Sequence, residues 1–335
     1  MFFAMESIVI FYARAILLSC GCMLEYSIGV DLGGTNLRAA AIDRSGRLMD
    51  KVAGRTHLSA GREAIVGDIA SSIEQLREHC GRENLTGIGV AVPGFIRIEE
   101  GVIANSNNLA CLEGFPIRDE LEGRLKAPVI FENDANAAAL GEKWKGAGHN
   151  VDDLVLLTLG TGVGGGIICQ GRILHGYLGM AGELGHITVV TNGNPCGCGN
   201  RGCLEKHASA SAVIGMARMC GLSCNTAKEV YELWQQGNPR AQAIFNSVGD
   251  ALGIGLAMLV NAFNFPLYLI SGGLVGAWEA FAPSMFAGLK ERSFTYRSTN
   301  TRVEQAVLLS EAGLYGAACL PYLGPVIAKA AAGKQ

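Results

Sequence analysis

Two separated segments of this chain share one pattern, in which an apolar strand, a turn of glycine and threonine, and a second apolar strand follow each other. The first segment covers residues 26–43 with its turn at 31–36, and the second covers 154–174 with its turn at 160–166. Turns with paired glycines present backbone N–H groups that can surround a phosphate. A plain β-hairpin is the alternative for either segment alone. The duplication predicts two related α/β halves.

The remaining predicted elements follow the alternation of an α/β protein. They are helix 61–80, strands 87–92 and 129–132, helix 137–145, helices 209–220, 226–236 and 239–263, strand 267–271, and a last helix, 311–322, that packs back on the first half. The apolar stretch that includes 239–263 is interrupted by Asn261, Asn264 and Pro266. These interruptions favour a buried helix and strand over a membrane span.

Asp134 lies where strand 129–132 passes into the alanine-rich helix 137–145. A carboxylate there can cap the helix N-terminus. It can equally be a catalytic base, because ligands of open α/β sheets bind at the carboxyl ends of strands. Taken alone, the residue is better interpreted as a cap.

A dense cluster of cysteines follows His186. Cys196, Cys198 and Cys203 supply three thiols, and with the imidazole they form a Cys₃His set, which closes a tetrahedral zinc shell. A closed shell has no open position for water, so the predicted zinc is structural. Its expected role is to hold His186 and the two nearby carboxylates, Glu183 and Glu205. The alternative is a flexible glycine-rich loop with unconnected thiols.

Composition narrows the class of protein. The chain has 335 residues, of which 49% are hydrophobic and 17% charged, and its net charge is −3. That balance gives no basic surface for nucleic acid. Six further cysteines lie scattered in mostly apolar segments, at Cys80, Cys111, Cys169, Cys220, Cys224 and Cys319. This scatter predicts reduced thiols and a cytoplasmic protein without a disulfide framework.

The first 22 residues are apolar, and Glu6 and Arg14 are their only charges. A signal peptide has basic residues before its apolar run, whereas here the arginine lies inside it. The run is also short for a membrane span. LLSC at 17–20 resembles a lipoprotein cleavage site. We interpret residues 1–22 as a dispensable extension outside the fold, and Met23 as the start of the first structural segment.

Five motifs together resemble the ROK family of sugar kinases and repressors, from about residue 23 to 320. They are DLGGTN at 31–36, ENDANAAALGE at 132–142, LGTGVGGG at 159–166, GMAGELGH at 179–186 and CGCGNRGCLE at 196–205. The resemblance implies an actin-like (sugar kinase/Hsp70/actin) ATPase fold of class α/β, with two α/β domains around a cleft and a small zinc-binding loop. The repressors carry an N-terminal helix-turn-helix domain, for which 22 residues leave no room, and this favours the kinase branch.

The resemblance implies transfer of phosphate from ATP to a hexose, with glucose as the first candidate. Asp134 would take the proton of the 6-hydroxyl, and Asn133 would donate a hydrogen bond to a neighbouring hydroxyl. Acceptors for the hydroxyls around C1 to C3 would be Glu183, His186 and Glu205, and the other side of the sugar would be lined by Pro93, Gly94 and Asn108. Other candidates are N-acetylmannosamine, N-acetylglucosamine, fructose and allose, or a sugar-binding regulator without catalysis.

The resemblance also implies MgATP and a structural zinc as cofactors. Nucleotide would be held by Gly33, Gly34, Thr35, Asn36, Thr161 and Gly162, with Asp31 near Mg²⁺ and with Gly272 and Gly273 allowing the adenosine to approach. The expected domains are 23–135, joined by helix 311–322, and 136–310, which carries the zinc loop. A homodimer that binds a small hexose, without nucleic-acid or membrane partners, is the expected assembly.

Overall fold

The computed structural model describes residues 25–106 and 108–323. The proposed extension, residues 1–22, lies outside them. Two five-stranded mixed sheets dominate the fold. The first has the order β3-β2-β1-β4-β7, built from β1 (Tyr26–Leu32), β2 (Asn36–Asp43), β3 (Leu48–Arg55), β4 (Leu85–Val92) and β7 (Val129–Asn133). The second has the order β10-β9-β8-β11-β12, built from β8 (Leu154–Leu159), β9 (Val163–Cys169), β10 (Arg172–Ile173), β11 (Leu267–Ser271) and β12 (Arg302–Gln305).

The two sheets repeat one topology. In each, three antiparallel strands are followed by two strands parallel to the first, so the carboxyl ends of the parallel strands meet at one edge. In the first sheet, Asp31 pairs in register with Ala91, and Asn133 pairs with Val92. The turns that follow β1, β4 and β7 are therefore neighbours, although they are far apart in sequence.

The helices cover the sheets and connect them. They are α1 (Arg62–Cys80), α2 (Ile117–Leu125), α3 (Asp134–Lys145), α4 (Glu205–Ala208), α5 (Ala210–Met219), α6 (Ala227–Gln235), α7 (Pro239–Phe263), α8 (Trp278–Arg292), α9 (Phe294–Ser298) and α10 (Ala312–Cys319). A small hairpin, β5 (Phe95–Arg97) with β6 (Val102–Asn105), extends from the first sheet. Each sheet has its own apolar core, formed with α1 in the first half and with α7 and α8 in the second.

Helix α7 is long and apolar enough to cross a membrane by length and composition, yet 67% of its most apolar window is buried inside the molecule. It packs against α8, where close approach requires Gly249, because a Cβ there would lie 2.3 Å from the carbonyl oxygen of Phe281. The prediction of a buried core helix is confirmed.

Helices α3 and α10 cross closely. A Cβ on Gly316 would lie 1.6 Å from the carbonyl oxygen of Ala137, and one on Gly141 would lie 2.1 Å from that of Ala312. Helix α10 also contacts β1 and β4 of the first sheet. The boundaries proposed for the two domains stay a prediction.

The second glycine turn is shorter than predicted. Strand β9 begins at Val163, so only residues 160–162 form the turn, and the prediction of a turn to 166 is wrong. The glycines at 164–166 serve packing instead. A Cβ on Gly166 would lie 2.7 Å from the Cβ of Ala139, and one on Gly164 would lie 3.2 Å from the Cβ of Ala135, so the lack of side chains at these two positions lets α3 lie directly on this strand. The sequence prediction also lacked β3, the β5–β6 hairpin and α2.

Candidate active site

Asp134 is the first residue of α3, and Asn133 before it is the N-cap. The Asn133 Oδ1 accepts the backbone N–H groups of Ala135 at 2.9 Å and Asn136 at 3.1 Å. The interpretation of Asp134 as the cap is therefore wrong. Its own carboxylate accepts only the N–H of Ala135, at 2.8 Å, among the hydrogen bonds of the described residues, and it is exposed. Since the cap is already supplied, this carboxylate is available to a ligand.

The pKa of Asp134 is raised to about 6. The main cause is desolvation, because the carboxylate lies deep among protein atoms even though solvent reaches it. The Ala135 N–H opposes the shift, while the negative charges of Asp31 and Glu183 add to it. The charges of Asp31 and Glu183 therefore act on this carboxylate, whose pKa suits proton transfer at near-neutral pH.

Hydrogen bonds from the backbone and from the Thr56 side chain hold the first glycine turn in place. The Gly33 N–H donates to the Asn36 carbonyl at 2.8 Å, and the Thr56 hydroxyl donates to the Gly33 carbonyl at 2.9 Å. Thr35 and Asn36 are exposed at the tip. A cavity of about 400 Å³ opens beside this turn, lined by Asp31, Gly33, Asn36, Arg38, Ala53 and Gly54. Thr56 was not among the predicted site residues, and it directly follows β3, a strand that was not predicted.

Asp31 is half-buried and forms an ion pair with Arg38, which also lies 3.5 Å from Glu311 before α10. The prediction did not include Arg38. A carboxylate is the kind of ligand that Mg²⁺ prefers, and Asp31 lies beside both the turn and the cavity. The donor set is therefore compatible with Mg²⁺ bound together with phosphates.

The second glycine turn lies against Glu205. The Gly160 N–H donates to the Gly162 carbonyl at 2.9 Å, and Thr161 is exposed at the tip. A Cβ on Gly162 would lie 2.3 Å from the Glu205 Oε2, which also accepts the N–H of Val163 at 3.3 Å. The structure thus brings a residue predicted to bind phosphate into contact with one predicted to bind sugar.

Gly272 and Gly273 lie at the same edge of the second sheet. Gly272 has a φ of +91°, and a Cβ there would lie 2.4 Å from the carbonyl oxygen of Leu159, immediately before the second turn. A Cβ on Gly273 would meet nothing within 4 Å, so this position faces open space. A short 3₁₀ turn, Gly273–Ala277, then leads into α8.

The predicted sugar residues of the first half also converge. The Asn133 Nδ2 donates to the Gly94 carbonyl at 3.1 Å, which leaves its second N–H for a ligand. Gly94, directly after Pro93, has a φ of +108°, and a Cβ there would lie 2.2 Å from the carbonyl oxygen of Asn105. Asn108 packs against the first glycine turn, since its Cβ lies 3.4 Å from where a Cβ of Gly34 would be.

The four predicted zinc ligands come together, with ligand atoms of His186, Cys196, Cys198 and Cys203 within 4.8 Å of one another. Tetrahedral zinc with ordinary bond lengths requires sulfur atoms about 3.8 Å apart and sulfur–nitrogen pairs about 3.6 Å apart. The Cys198 and Cys203 sulfurs are 3.7 Å apart, and the Cys196 sulfur is 3.6 Å from the His186 Nδ1. These residues therefore fit zinc in both donor type and spacing.

His186 links this cluster to Glu183. Its Nδ1 faces the sulfurs, and its Nε2 lies 3.8 Å from the Glu183 Oε2. Burial raises the pKa of Glu183; His186 opposes the shift, and Glu205 adds to it. The two ring nitrogens therefore face different groups, the Nδ1 the thiols and the Nε2 Glu183.

One further pair of residues was not predicted from the sequence. Glu132, directly before Asn133, is buried and accepts a hydrogen bond from the His175 Nε2 at 2.7 Å. The two residues are 43 positions apart. Glu132 lies on β7 of the first sheet, and His175 lies in the loop after β10 of the second sheet. Of the two residues, only Glu132 belongs to one of the five motifs, as the first residue of ENDANAAALGE at 132–142.

The comparison with known proteins decides the family, because the sequence model of the ROK family matches residues 27–322. The chain belongs to the ROK family. A glucokinase of Halalkalibacterium halodurans is 36% identical over 309 residues, which cover 87% of this chain and 93% of that protein. A glucokinase of Thermotoga maritima is 36% identical over 311 residues (88% and 96%), and an N-acetylmannosamine kinase of Yersinia pseudotuberculosis is 32% identical over 291 residues (87% and 96%).

Solved structures of the ROK family agree. The ROK hexokinase from Thermus thermophilus superposes with a TM-score of 0.79 at 36% identity, covering 89% of this chain and 98% of that one. A ROK family glucokinase from Streptomyces griseus, in complex with glucose and AMPPNP, gives 0.74 at 31% identity, covering 89% and 100%. The predicted actin-like ATPase fold is confirmed, and the chain is close in sequence to bacterial glucokinases.

Proposed function

We propose that this ROK protein transfers the terminal phosphoryl group of ATP to the 6-hydroxyl of glucose, with Asp134 as the general base. The observation that carries the proposal is that Asp134 does not cap α3. Its carboxylate is exposed at the end of β7 and has a pKa of about 6. The two glucokinases at 36% identity support the same reaction.

Phosphoryl transfer depends mainly on positioning the reactants and on stabilising charge. Asp134 lies at the edge of the first sheet from which the turns after β1 and β4 also extend. A hydroxyl bound beside Asp134 can therefore face a phosphate bound by the first glycine turn. The carboxylate would accept the hydroxyl proton as the new phosphorus–oxygen bond forms, and ADP would leave with the electrons of the broken bond.

The sugar is uncharged, and its recognition requires a set of hydrogen bonds. The free N–H of Asn133 is a donor, while Glu183 and Glu205 provide acceptors and His186 presents its Nε2. We assign Pro93, Gly94 and Asn108 to the opposite side of the sugar. The zinc cluster would keep Glu183, His186 and Glu205 in fixed positions and supply no step of the reaction.

The nucleotide is assigned to the two glycine turns, with Gly272 and Gly273 beside the adenosine. Bound Mg²⁺ would neutralise charge that develops on the transferred phosphate. Asp31 would bind it, directly or through water, and Arg38 already compensates the Asp31 charge in the structure.

A coupled ADP-release assay across glucose, N-acetylmannosamine, N-acetylglucosamine, fructose and allose tests the substrate. We expect the highest kcat/KM with glucose, because the same acceptors serve hydroxyls around C1 to C3 while an N-acetyl group needs additional volume beside C2. A higher kcat/KM with either N-acetyl sugar would replace glucose by that sugar. Absence of turnover with every hexose would favour a sugar-binding regulator, which the free Asp134 and the two glycine turns argue against.

The pH dependence of kcat/KM for glucose provides a second test. Only an ionised Asp134 can accept the proton, so activity should fall as the pH drops through about 6. An Asp with an ordinary pKa would keep activity down to about pH 4. A rate profile from pH 4.5 to 8, with the coupling enzymes in excess, measures this limb. Activity that stays close to its maximum down to pH 5 would contradict the raised pKa.

We further infer a cytoplasmic homodimer. The thiols support the cytoplasmic location, because all nine cysteines in the described ranges are free. Sedimentation analysis of the purified full chain would test the assembly, and a purely monomeric protein at assay concentrations would refute it.

A further inference from the structure

Glu132 is the centre of a buried hydrogen-bond network next to Asp134. Its Oε1 accepts the backbone N–H of Asn133 at 2.9 Å and the side-chain N–H of Asn136 at 3.0 Å. Its Oε2 accepts the His175 Nε2. This carboxylate thus fixes both the residue before Asp134 and one on the first turn of α3.

His175 belongs to the other half of the protein and begins the loop that leads to Glu183. Its carbonyl accepts the N–H of Ala181 at 3.0 Å, which closes the loop 175–181. Gly176 allows this closure with a φ of +66°, since a Cβ there would lie 2.7 Å from the Cβ of Ala181. The backbone of His175 holds the loop, and its side chain holds Glu132.

A second contact joins the same two segments. The Asn136 Oδ1 is buried and has no hydrogen-bond partner among the described residues, and it lies 3.6 Å from where a Cβ of Gly182 would be. Gly182 has a φ of +91° and directly precedes Glu183. The turn at 132–136 and the loop at 175–183 are therefore packed together at two points.

The hydrogen bond from His175 suits this role. A buried carboxylate is costly unless it is paired and hydrogen-bonded, and His175 is the one partner of Glu132 among the ion pairs of the described residues. Burial lowers the pKa of His175, but the hydrogen bond and the charge of Glu132 outweigh this, so the pKa is raised overall. No other charged group contributes to the shift.

We propose that His175 is a positioning residue, which through Glu132 keeps the turn carrying Asn133 and Asp134 in register with the loop carrying Glu183 and His186. The inference rests on the proposed sugar-kinase function. The sugar would contact residues of both segments. The glycine turns, to which we assign the nucleotide, lie outside the hydrogen-bond network of Glu132. Loss of His175 should therefore affect sugar far more than ATP.

Steady-state kinetics of three variants tests this. In His175→Leu, which removes the donor, we expect kcat/KM for glucose to fall about 10- to 100-fold, as small misplacements of reacting groups do. The KM for ATP should stay near the parent value. In His175→Gln, whose amide can donate from a similar position, kcat/KM should return close to the parent. His79→Leu is the matched control, because His79 forms an equivalent 2.7 Å bond with Asp50 on the exposed surface.

The outcomes separate the two hypotheses. Parent-like glucose kinetics in His175→Leu would overturn the positioning role and leave the proposed function intact. An equal loss of ATP and glucose affinity, without rescue by glutamine, would also overturn it, in favour of general destabilisation. A parent protein that phosphorylates no hexose would instead overturn the proposed function.

Hydrogen–deuterium exchange of the full-length variants without substrate gives an answer that does not depend on activity. His175→Leu should increase exchange in both 132–136 and 175–186, while His79→Leu should increase it in neither. An increase confined to the loop at 175–181 would show that the two segments are not linked through His175.

Discussion

An Asp134→Asn protein is expected to fold and to bind MgATP and glucose, yet to lose roughly 10²- to 10⁴-fold in kcat, the usual contribution of a general base. The amide keeps the size of the side chain but cannot accept the hydroxyl proton. Because Asn133 provides the helix cap, the substitution leaves the start of α3 intact. The assay is ADP release at saturating glucose, with nucleotide affinity titrated separately.

Asp50→Asn is the matched control, since that carboxylate forms an ion pair with His79 on the exposed surface. Its kcat should equal that of the parent. If Asp134→Asn keeps near-parent turnover, the base lies elsewhere, and the proposed mechanism is wrong.

The Asp134→Asn variant should also be more stable than the parent at alkaline pH. The Asp134 pKa is raised in the folded protein above its value near 3.8 in the unfolded chain. The parent therefore loses stability as pH rises between these values, because the unfolded chain gives up its proton first. Thermal unfolding should show a higher midpoint for Asp134→Asn at pH 8 and equal midpoints near pH 4. A lower midpoint at pH 8 would contradict the desolvation of this carboxylate.

The second large effect is expected at the zinc cluster. Cys198→Ala removes one of four ligands, so the purified protein should lose stoichiometric zinc. The loop carrying Glu183, His186 and Glu205 should loosen, and the KM for glucose should rise by at least about tenfold, as when support around a metal is lost. Nucleotide affinity should change little, because the first glycine turn is held by Thr56 and by its own backbone, away from the cluster.

Metal analysis and separate titrations of glucose and nucleotide measure these changes. Cys220→Ala, at an exposed cysteine outside the cluster, should keep both zinc and glucose affinity. The apolar core around α7 and α8 should keep the rest of the second half folded. A variant without zinc that binds glucose as the parent does would refute the coupling between metal and sugar site.

Local patterns allowed the strands, the long helices and the cysteine cluster to be predicted. The cysteine cluster could be predicted because its cysteines and glycines lie within a few residues of each other. The start of α3 was not, since Asn133 and Asp134 are both good caps and only the backbone decides which one is used. The end of the second glycine turn depended on packing against α3, which no local pattern reports.

The contact between His175 and Glu132 marks a different limit. Neither residue has a periodic or spaced partner in the sequence, and their bond exists only because the loop after β10 reaches the end of β7. Thr56 and Arg38 were missed for a related reason, because their roles depend on which strands pair with β1 and β2. Pairings between distant segments carry the information that a single sequence lacks.

The lack of side chains at Gly164 and Gly166 of β9 has a consequence for the position of Asp134. Strand β7 belongs to the first sheet, but α3, which continues it, lies directly on β9 of the second, where Gly166 admits Ala139. The chain therefore crosses at Asp134 from the edge of the first sheet onto the second. The position of this carboxylate thus depends on the packing of α3 against β9 as well as on β7.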